Sequence, residues 1–144
     1  FYIGGTKAGA LLGEALVINR GDLKRDFRYA LKQNGALTAK GFLLGVMFEG
    51  LFENDNYASF CKRAVRLADK IRVALKQKGV EFESDCKDTQ IFAIFPIDYY
   101  KKLEKEFDFG GAVYKGDKAY ARICTSWATT DEKAEMLINA INNL

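Results

Sequence analysis

Lys7 lies directly after Thr6 in a short stretch that is rich in glycine. The glycines of this stretch are Gly4, Gly5 and Gly9. Apolar residues flank it on both sides, so the pattern predicts a turn between two strands. Such a turn could bring the backbone close to a ligand or simply reverse the chain, and it lacks the spacing of a P-loop or of a GxGxxG fingerprint. From the pattern alone, a solvated turn lysine is the simpler interpretation.

Arg122 is a second candidate, because it interrupts an apolar strand pattern in the segment YARIC, residues 120–124. Strand alternation places Arg122 on the same side as Tyr120 and Cys124. An arginine on such a half-apolar face usually has an anionic partner. Two partners stay open at this point. One is a carboxylate of the protein itself, and the other is the carboxylate of a ligand, which a planar guanidinium can bind with two hydrogen bonds.

A run of basic residues follows the second predicted strand and could contact phosphates. Its members are Lys24, Arg25, Arg28 and Lys32. Asp22 and Asp26 dilute the charge of the run, and such a pattern more often forms a solvated helix face.

Composition excludes several kinds of site. The 144 residues include no histidine, and the three cysteines do not have the spacing of a zinc site. We therefore expect no metal site and no Ser-His or Cys-His catalytic pair. The net charge of +3 is too small to indicate a nucleic-acid partner. Lys7 and Glu14 interrupt the N-terminal apolar run, so we expect neither a signal peptide nor a membrane span. Scattered cysteines fit a reducing, cytoplasmic location.

The elements that must position these residues divide into two groups at the polar segment Glu53–Asn56. Before it, the pattern predicts strands over 1–3 and 14–18, a helix from Gly21 to Lys32, and a buried helix over 39–52. After it, the pattern predicts a long helix over 57–78, strands over 80–82, 90–95, 112–114 and 118–125, a helix that Asp98 caps, and a last helix with a Thr129–Glu132 capping box. These residues predict a small α+β unit, and the preceding ones predict the last part of a larger domain.

Three segments of this chain resemble the low-specificity L-threonine aldolases, in the β-eliminating lyase group of fold type I pyridoxal-phosphate enzymes. The segments are FYIGGTKAGALLGEALVI, ALKQNGALTAKGFLLG and RICTSWATT. The resemblance covers essentially the whole chain. It implies an α/β fold in which residues 1–54 end the large cofactor-binding domain and residues 55–144 form a small α+β C-terminal domain.

The resemblance also implies a role for each candidate residue. Lys7 matches the lysine that carries pyridoxal 5'-phosphate as a Schiff base, and we expect it to be desolvated so that its amine loses charge readily. Thr6 suits a phosphate oxygen, and Lys40 lies close to, but not at, the position of a basic residue of the family that reaches the cofactor phosphate across a dimer interface. Arg122 matches the arginine that holds the substrate carboxylate, and Lys32 matches a second active-site lysine.

The implied reaction is the aldol cleavage of L-threonine or L-allo-threonine to glycine and acetaldehyde by a homodimer or homotetramer. The family's ring-stacking histidine, the aspartate for its pyridinium nitrogen and its main phosphate loop all precede the Schiff-base lysine, and six residues precede Lys7 here. We therefore interpret the chain as the C-terminal part of such an enzyme. Two alternatives stay open: another reaction of the same cofactor, such as β-elimination or transamination, and a catalytically silent α+β fragment.

Overall fold

The computed structural model describes residues 1–144 and contains two compact units, Phe1–Ser59 and Phe60–Leu144. Its strands are β1 (Tyr2–Gly4), β2 (Glu14–Leu16), β3 (Glu81–Phe82), β4 (Gln90–Pro96), β5 (Ala112–Lys115) and β6 (Lys118–Cys124). Its α-helices are α1 (Phe27–Gln33), α2 (Phe42–Phe52), α3 (Asn56–Gln77), α4 (Ile97–Leu103) and α5 (Asp131–Asn142). The domain boundaries predicted above, at 1–54 and 55–144, stay a prediction.

The second unit is a four-stranded antiparallel sheet, ordered β3-β4-β6-β5, with helices on one face. Alternate residues of the two central strands are buried: Ile91, Ala93 and Phe95 in β4, and Ala119, Ala121 and Ile123 in β6. They share one core with the apolar sides of α3 and α5, at residues such as Leu67, Ile71, Leu137 and Ile141. The period-two pattern therefore gives the sheet one covered face and one open face.

The first unit is built around a hairpin of β1 and β2. The two strands are antiparallel, with Gly4 opposite Glu14 and Tyr2 opposite Leu16. The connection between them begins with a 3₁₀ turn at Thr6–Ala8 and continues through Gly9, whose φ of 114° lies in the left-handed region. Glycine tolerates this conformation without the clash that a Cβ would cause.

Two predictions for the first unit are wrong. The helix expected from Gly21 to Lys32 is a 3₁₀ turn at Gly21–Lys24 followed by α1, because Asp26 adopts a left-handed backbone with φ 54° that interrupts a right-handed helix. The helix expected to be buried, α2, buries only Phe48 and Leu51 in this chain, whereas Phe42 is 67 % exposed and Val46 is 58 % exposed.

Two helix caps also differ from the predictions. No side chain caps α4, so Asp98 does not serve as its N-cap. The N-cap of α5 is Thr130, whose hydroxyl accepts a hydrogen bond from the Lys133 amide. The Thr129 hydroxyl accepts instead from the Ser126 amide in the preceding turn. The N-cap is therefore one residue later than predicted, and because Lys133 rather than a Glu or Gln stands three residues after it, the predicted capping box does not form.

Candidate functional site

The turn that carries Lys7 has a buried base and an exposed edge. The amides of Ala8 and Ala10 both donate to the Gly5 carbonyl, at 2.9 and 3.0 Å. Ala8 and Ala10 are buried, whereas Thr6 and Lys7 are exposed. The turn therefore anchors itself through two small apolar side chains and presents a hydroxyl and an amine outward.

Close packing explains the glycine at position 5. A Cβ on Gly5 would lie 2.7 Å from the Ala10 Cβ and 2.9 Å from the Phe48 ring. Contacts this short do not occur between carbon atoms, so a side chain at this position would displace the turn. Gly4 has no such neighbours. The glycine that supports the Lys7 turn therefore serves packing inside the first unit.

A tyrosine fixes the strand that leads into the turn. The Tyr57 hydroxyl, at the start of α3, donates to the Gly4 carbonyl at 2.9 Å. The Tyr57 ring lies 5.2 Å from the Phe52 ring, centroid to centroid. Sequence reasoning missed Tyr57, because nothing in the pattern relates it to a glycine 53 positions earlier. The start of α3 thus restrains the backbone three residues before Lys7.

The Lys7 amine makes no hydrogen bond or ion pair within the chain. Its side chain is exposed, so the expected desolvation is not supplied by these 144 residues. A lysine that forms an ion pair with a carboxylate of the same chain would be a poor candidate for covalent attachment to a ligand. Lys7 has no such partner, which leaves its amine accessible.

Lys32 and Lys40 lie on other parts of the first unit. Lys32 is in the last turn of α1, and Lys40 is in the turn that precedes α2. Both side chains are exposed, and neither forms an ion pair with a carboxylate of the chain. The structure brings Thr6 and Lys7 together in one turn, but no hydrogen bond joins Lys32 or Lys40 to that turn.

Arg122 lies on the open face of the second unit's sheet, in the middle of β6. Phe92 is directly opposite it on β4, and Tyr120 and Cys124 are its neighbours on the same side of β6. The alternation of exposed and buried residues along β6 confirms the predicted side of the strand. The Arg122 side chain is exposed and has no carboxylate partner within the chain. Of the two partners left open above, the internal carboxylate is therefore not present.

Each of the other two cations on the open face has an interaction partner within the chain. Lys118 donates to the Glu81 carboxylate at 2.7 Å, and this hydrogen bond raises the pKa of Lys118 above its usual value. The Lys115 ammonium lies 4.5 Å from the centroid of the Tyr120 ring, within the range of a cation–π contact. Arg122 is thus the cation on this face that is left for an external anion.

No cluster of side chains in the structure could hold a metal ion, and the chain contains no histidine. No helix combines the length and the apolar character needed to cross a membrane.

The donor set of the Lys7 turn fits part of a pyridoxal-phosphate site. An unpaired primary amine suits covalent attachment to an aldehyde, and the adjacent exposed Thr6 hydroxyl suits a phosphate oxygen. The turn has no carboxylate that could pair with a ring nitrogen. The residues present therefore fit the attachment point and one phosphate contact, but they do not surround a whole cofactor.

Comparison with known proteins finds similarity to threonine aldolases, although no family model matches the chain. Over 67 residues, 44 % of the chain, it is 39 % identical to a low specificity L-threonine aldolase of Pseudomonas aeruginosa, and it spans 19 % of that protein. It also superposes on a solved structure of Leishmania major threonine aldolase with a TM-score of 0.92 and 33 % identity. That match covers 99 % of this chain and 42 % of the Leishmania chain. The chain thus spans less than half the length of either relative.

These similarities confirm the predicted resemblance and the predicted fold class. The chain is similar in sequence, and over nearly all of its fold, to the C-terminal part of the threonine aldolases, which are fold type I pyridoxal-phosphate enzymes.

Proposed function

We propose that these residues act as the C-terminal part of a pyridoxal-phosphate-dependent threonine aldolase, which cleaves L-threonine or L-allo-threonine to glycine and acetaldehyde. The observation that carries the proposal is the structural match to Leishmania major threonine aldolase, which extends over 99 % of the chain at 33 % identity. Such a match includes both the Lys7 turn and the Arg122 strand. The proposal therefore assigns a role both to Lys7 and to Arg122.

Lys7 is the residue that holds the cofactor in this proposal. Pyridoxal phosphate supplies an aldehyde that an amine can bind covalently and a ring that accepts electrons when a bond at the substrate Cα breaks. The exposed amine of Lys7 is available for that attachment, and the packed base formed by Gly5, Ala8 and Ala10 holds the backbone from which the side chain extends. Thr6 and Lys40 would contribute contacts to the phosphate.

Arg122 is the substrate-carboxylate residue in this proposal. Its guanidinium has no internal partner and can donate two parallel hydrogen bonds to a carboxylate. Holding the carboxylate at a fixed point orients the amino acid, so that the bond to be broken is presented in one direction only. Lys32, also exposed and without an ion pair, would add a second positive charge for substrate binding.

The assembly in this proposal is a homodimer or homotetramer. The first unit exposes several large apolar side chains, at Phe42, Leu43 and Val46 of α2 and at Leu11 and Leu12. Exposed apolar residues in this number are typical of surfaces that other protein segments cover.

The direct test is a substrate panel on the full-length protein supplied with pyridoxal phosphate. We expect L-threonine to yield glycine and acetaldehyde, and L-serine and L-tryptophan to yield little or no product. Pyruvate and ammonia from serine, without aldol products from threonine, would identify a β-eliminating lyase instead. Conversion of the cofactor to its amine form by any of these amino acids at a catalytic rate would indicate an aminotransferase.

A further inference from the structure

The strand that carries Arg122 loses one of its two neighbours just before Arg122. Strand β5 pairs with β6 from Lys118 to Ala121 and no further. Beyond Ala121, only β4 continues alongside, with Phe92 opposite Arg122. The backbone that aims the guanidinium is therefore held at one edge, and its other edge is free. A segment held in this way needs a further restraint if the guanidinium is to keep a fixed position.

Thr125, immediately after the end of β6, supplies that restraint. Its side chain is 1 % exposed and is the buried polar side chain of this fold. Its hydroxyl donates to the Ala64 carbonyl of α3 at 2.8 Å and lies 3.4 Å from the Thr89 carbonyl. Its amide donates to the same Thr89 carbonyl at 2.9 Å. The hydroxyl thus joins the end of the Arg122 strand to the helix layer beneath the sheet.

The links between α3 and the residues that follow Thr125 are exposed. Arg63 donates to the Trp127 carbonyl, and Arg66 pairs with Asp131 at 2.8 Å. Exposed ion pairs contribute little, because solvent screens them and long side chains lose entropy. A buried hydroxyl bond is shielded from water and has a single geometry, so it restrains position more strongly.

We propose that Thr125 is a positioning residue for Arg122: its buried hydroxyl fixes the end of β6 on α3 and thereby fixes the direction in which Arg122 meets the substrate carboxylate. This inference rests on the proposed role of Arg122 in carboxylate binding. Thr125 itself is buried beneath the sheet and does not touch the substrate.

The test compares two substitutions in the full-length protein. Thr125→Val keeps the branched shape and removes the hydroxyl, whereas Thr125→Ser keeps the hydroxyl and removes a methyl group. We expect Thr125→Val to raise the KM for L-threonine by roughly fivefold to tenfold, with kcat changed by less than about twofold. Thr125→Ser should restore a KM close to that of the parent, and the affinity for pyridoxal phosphate should be the same in all three proteins.

Ile141→Val is the matched control for a loss of core stability. Ile141 is fully buried in the same core but lies on α5. Its substitution should lower the melting temperature and leave the KM unchanged. An equal rise in KM in Ile141→Val and Thr125→Val would overturn the inference, because KM would then follow stability alone. An unchanged KM in Thr125→Val would overturn it as well.

A double-variant cycle separates this inference from the proposed function. In an Arg122→Lys background, Thr125→Val should raise the KM by less than about twofold, because the group that Thr125 positions has already been lost. A full fivefold to tenfold effect in that background would show that Thr125 acts by another route. If Arg122→Lys alone leaves amino-acid affinity unchanged, the proposed role of Arg122 fails, and this inference fails with it. If Arg122→Lys weakens binding and Thr125→Val does not, only this inference fails.

Discussion

The Lys7 turn and the Arg122 strand present a cation in the same way but build its support differently. Lys7 extends from an irregular turn whose base is made by glycine and alanine packing, with no side chain larger than a methyl group at Ala8 and Ala10. Arg122 extends from a regular strand whose base is a buried sheet face. The turn depends on the absence of side chains, whereas the strand depends on their alternation. Substitutions that damage one support should therefore leave the other intact.

The largest expected effect is that of removing the Lys7 amine. Lys7→Ala in the full-length protein should abolish the visible absorbance of bound cofactor and essentially all turnover, because the attachment point is lost. Absorbance spectra and a threonine-cleavage assay measure both properties. Lys24→Ala is the matched control, since Lys24 is also exposed and is in a 3₁₀ turn of the same unit. Normal turnover in Lys7→Ala would exclude Lys7 as the attachment residue.

Replacing the Arg122 guanidinium with a single ammonium group should weaken substrate binding and leave cofactor binding unchanged. Arg122→Lys keeps the charge but loses one of two parallel hydrogen bonds. We expect amino-acid affinity to fall by roughly tenfold to a hundredfold, about 1.4–2.8 kcal/mol, measured by titration with L-threonine. Lys115→Arg, on the same sheet face, is the control for a change of cation type. Unchanged affinity in Arg122→Lys would mean that no ligand carboxylate reaches this side chain.

A methyl group at Gly5 should destabilise the Lys7 turn. In Gly5→Ala the new Cβ would meet the Ala10 Cβ and the Phe48 ring, and overpacking of this kind costs about 1–3 kcal/mol. The φ of Gly5 is −102°, so the cost comes from packing alone. Gly4→Ala is the control, since nothing lies within 4 Å of its Cβ. Chemical denaturation of both variants measures the difference, and equal free energies of unfolding would contradict the packing account.

The smallest expected effect is that of the Tyr57 hydroxyl. Tyr57→Phe keeps the ring beside Phe52 and removes the hydrogen bond to the Gly4 carbonyl. The loss should be about 0.5–1.5 kcal/mol in the free energy of unfolding. Hydrogen exchange at the amides of Ala8 and Ala10 should become faster in this variant. If these amides keep their protection, the start of α3 does not restrain the turn.

The same contrast explains what the sequence could predict. The side of β6 on which Arg122 lies follows from a period of two, and a single strand contains all the information required. The tight packing at Gly5 and the Tyr57 hydrogen bond depend on residues 43 and 53 positions away, and no local pattern encodes them. Site prediction for the turn therefore rested on the resemblance to threonine aldolases.

Two failures in the fold have physical causes of the same kind. The apolar residues of α2 indicate that the helix prefers burial, but the pattern does not say which segment covers it, and Phe42 and Val46 are exposed in this chain. Thr129 and Thr130 have the same capping chemistry, and only the backbone geometry selects Thr130 as the N-cap of α5. For both of these helices the sequence pattern predicts the type of element correctly and leaves its neighbours undetermined.

Lys7 is the proposed attachment point for pyridoxal phosphate. The most direct measurement is reduction of the full-length protein with borohydride in the presence of the cofactor, followed by peptide mapping of the label. We expect one label per chain, on the peptide that contains Lys7, and no label in Lys7→Ala. A label distributed over Lys24, Lys32 and Lys40, or a single label on any other lysine, would contradict it.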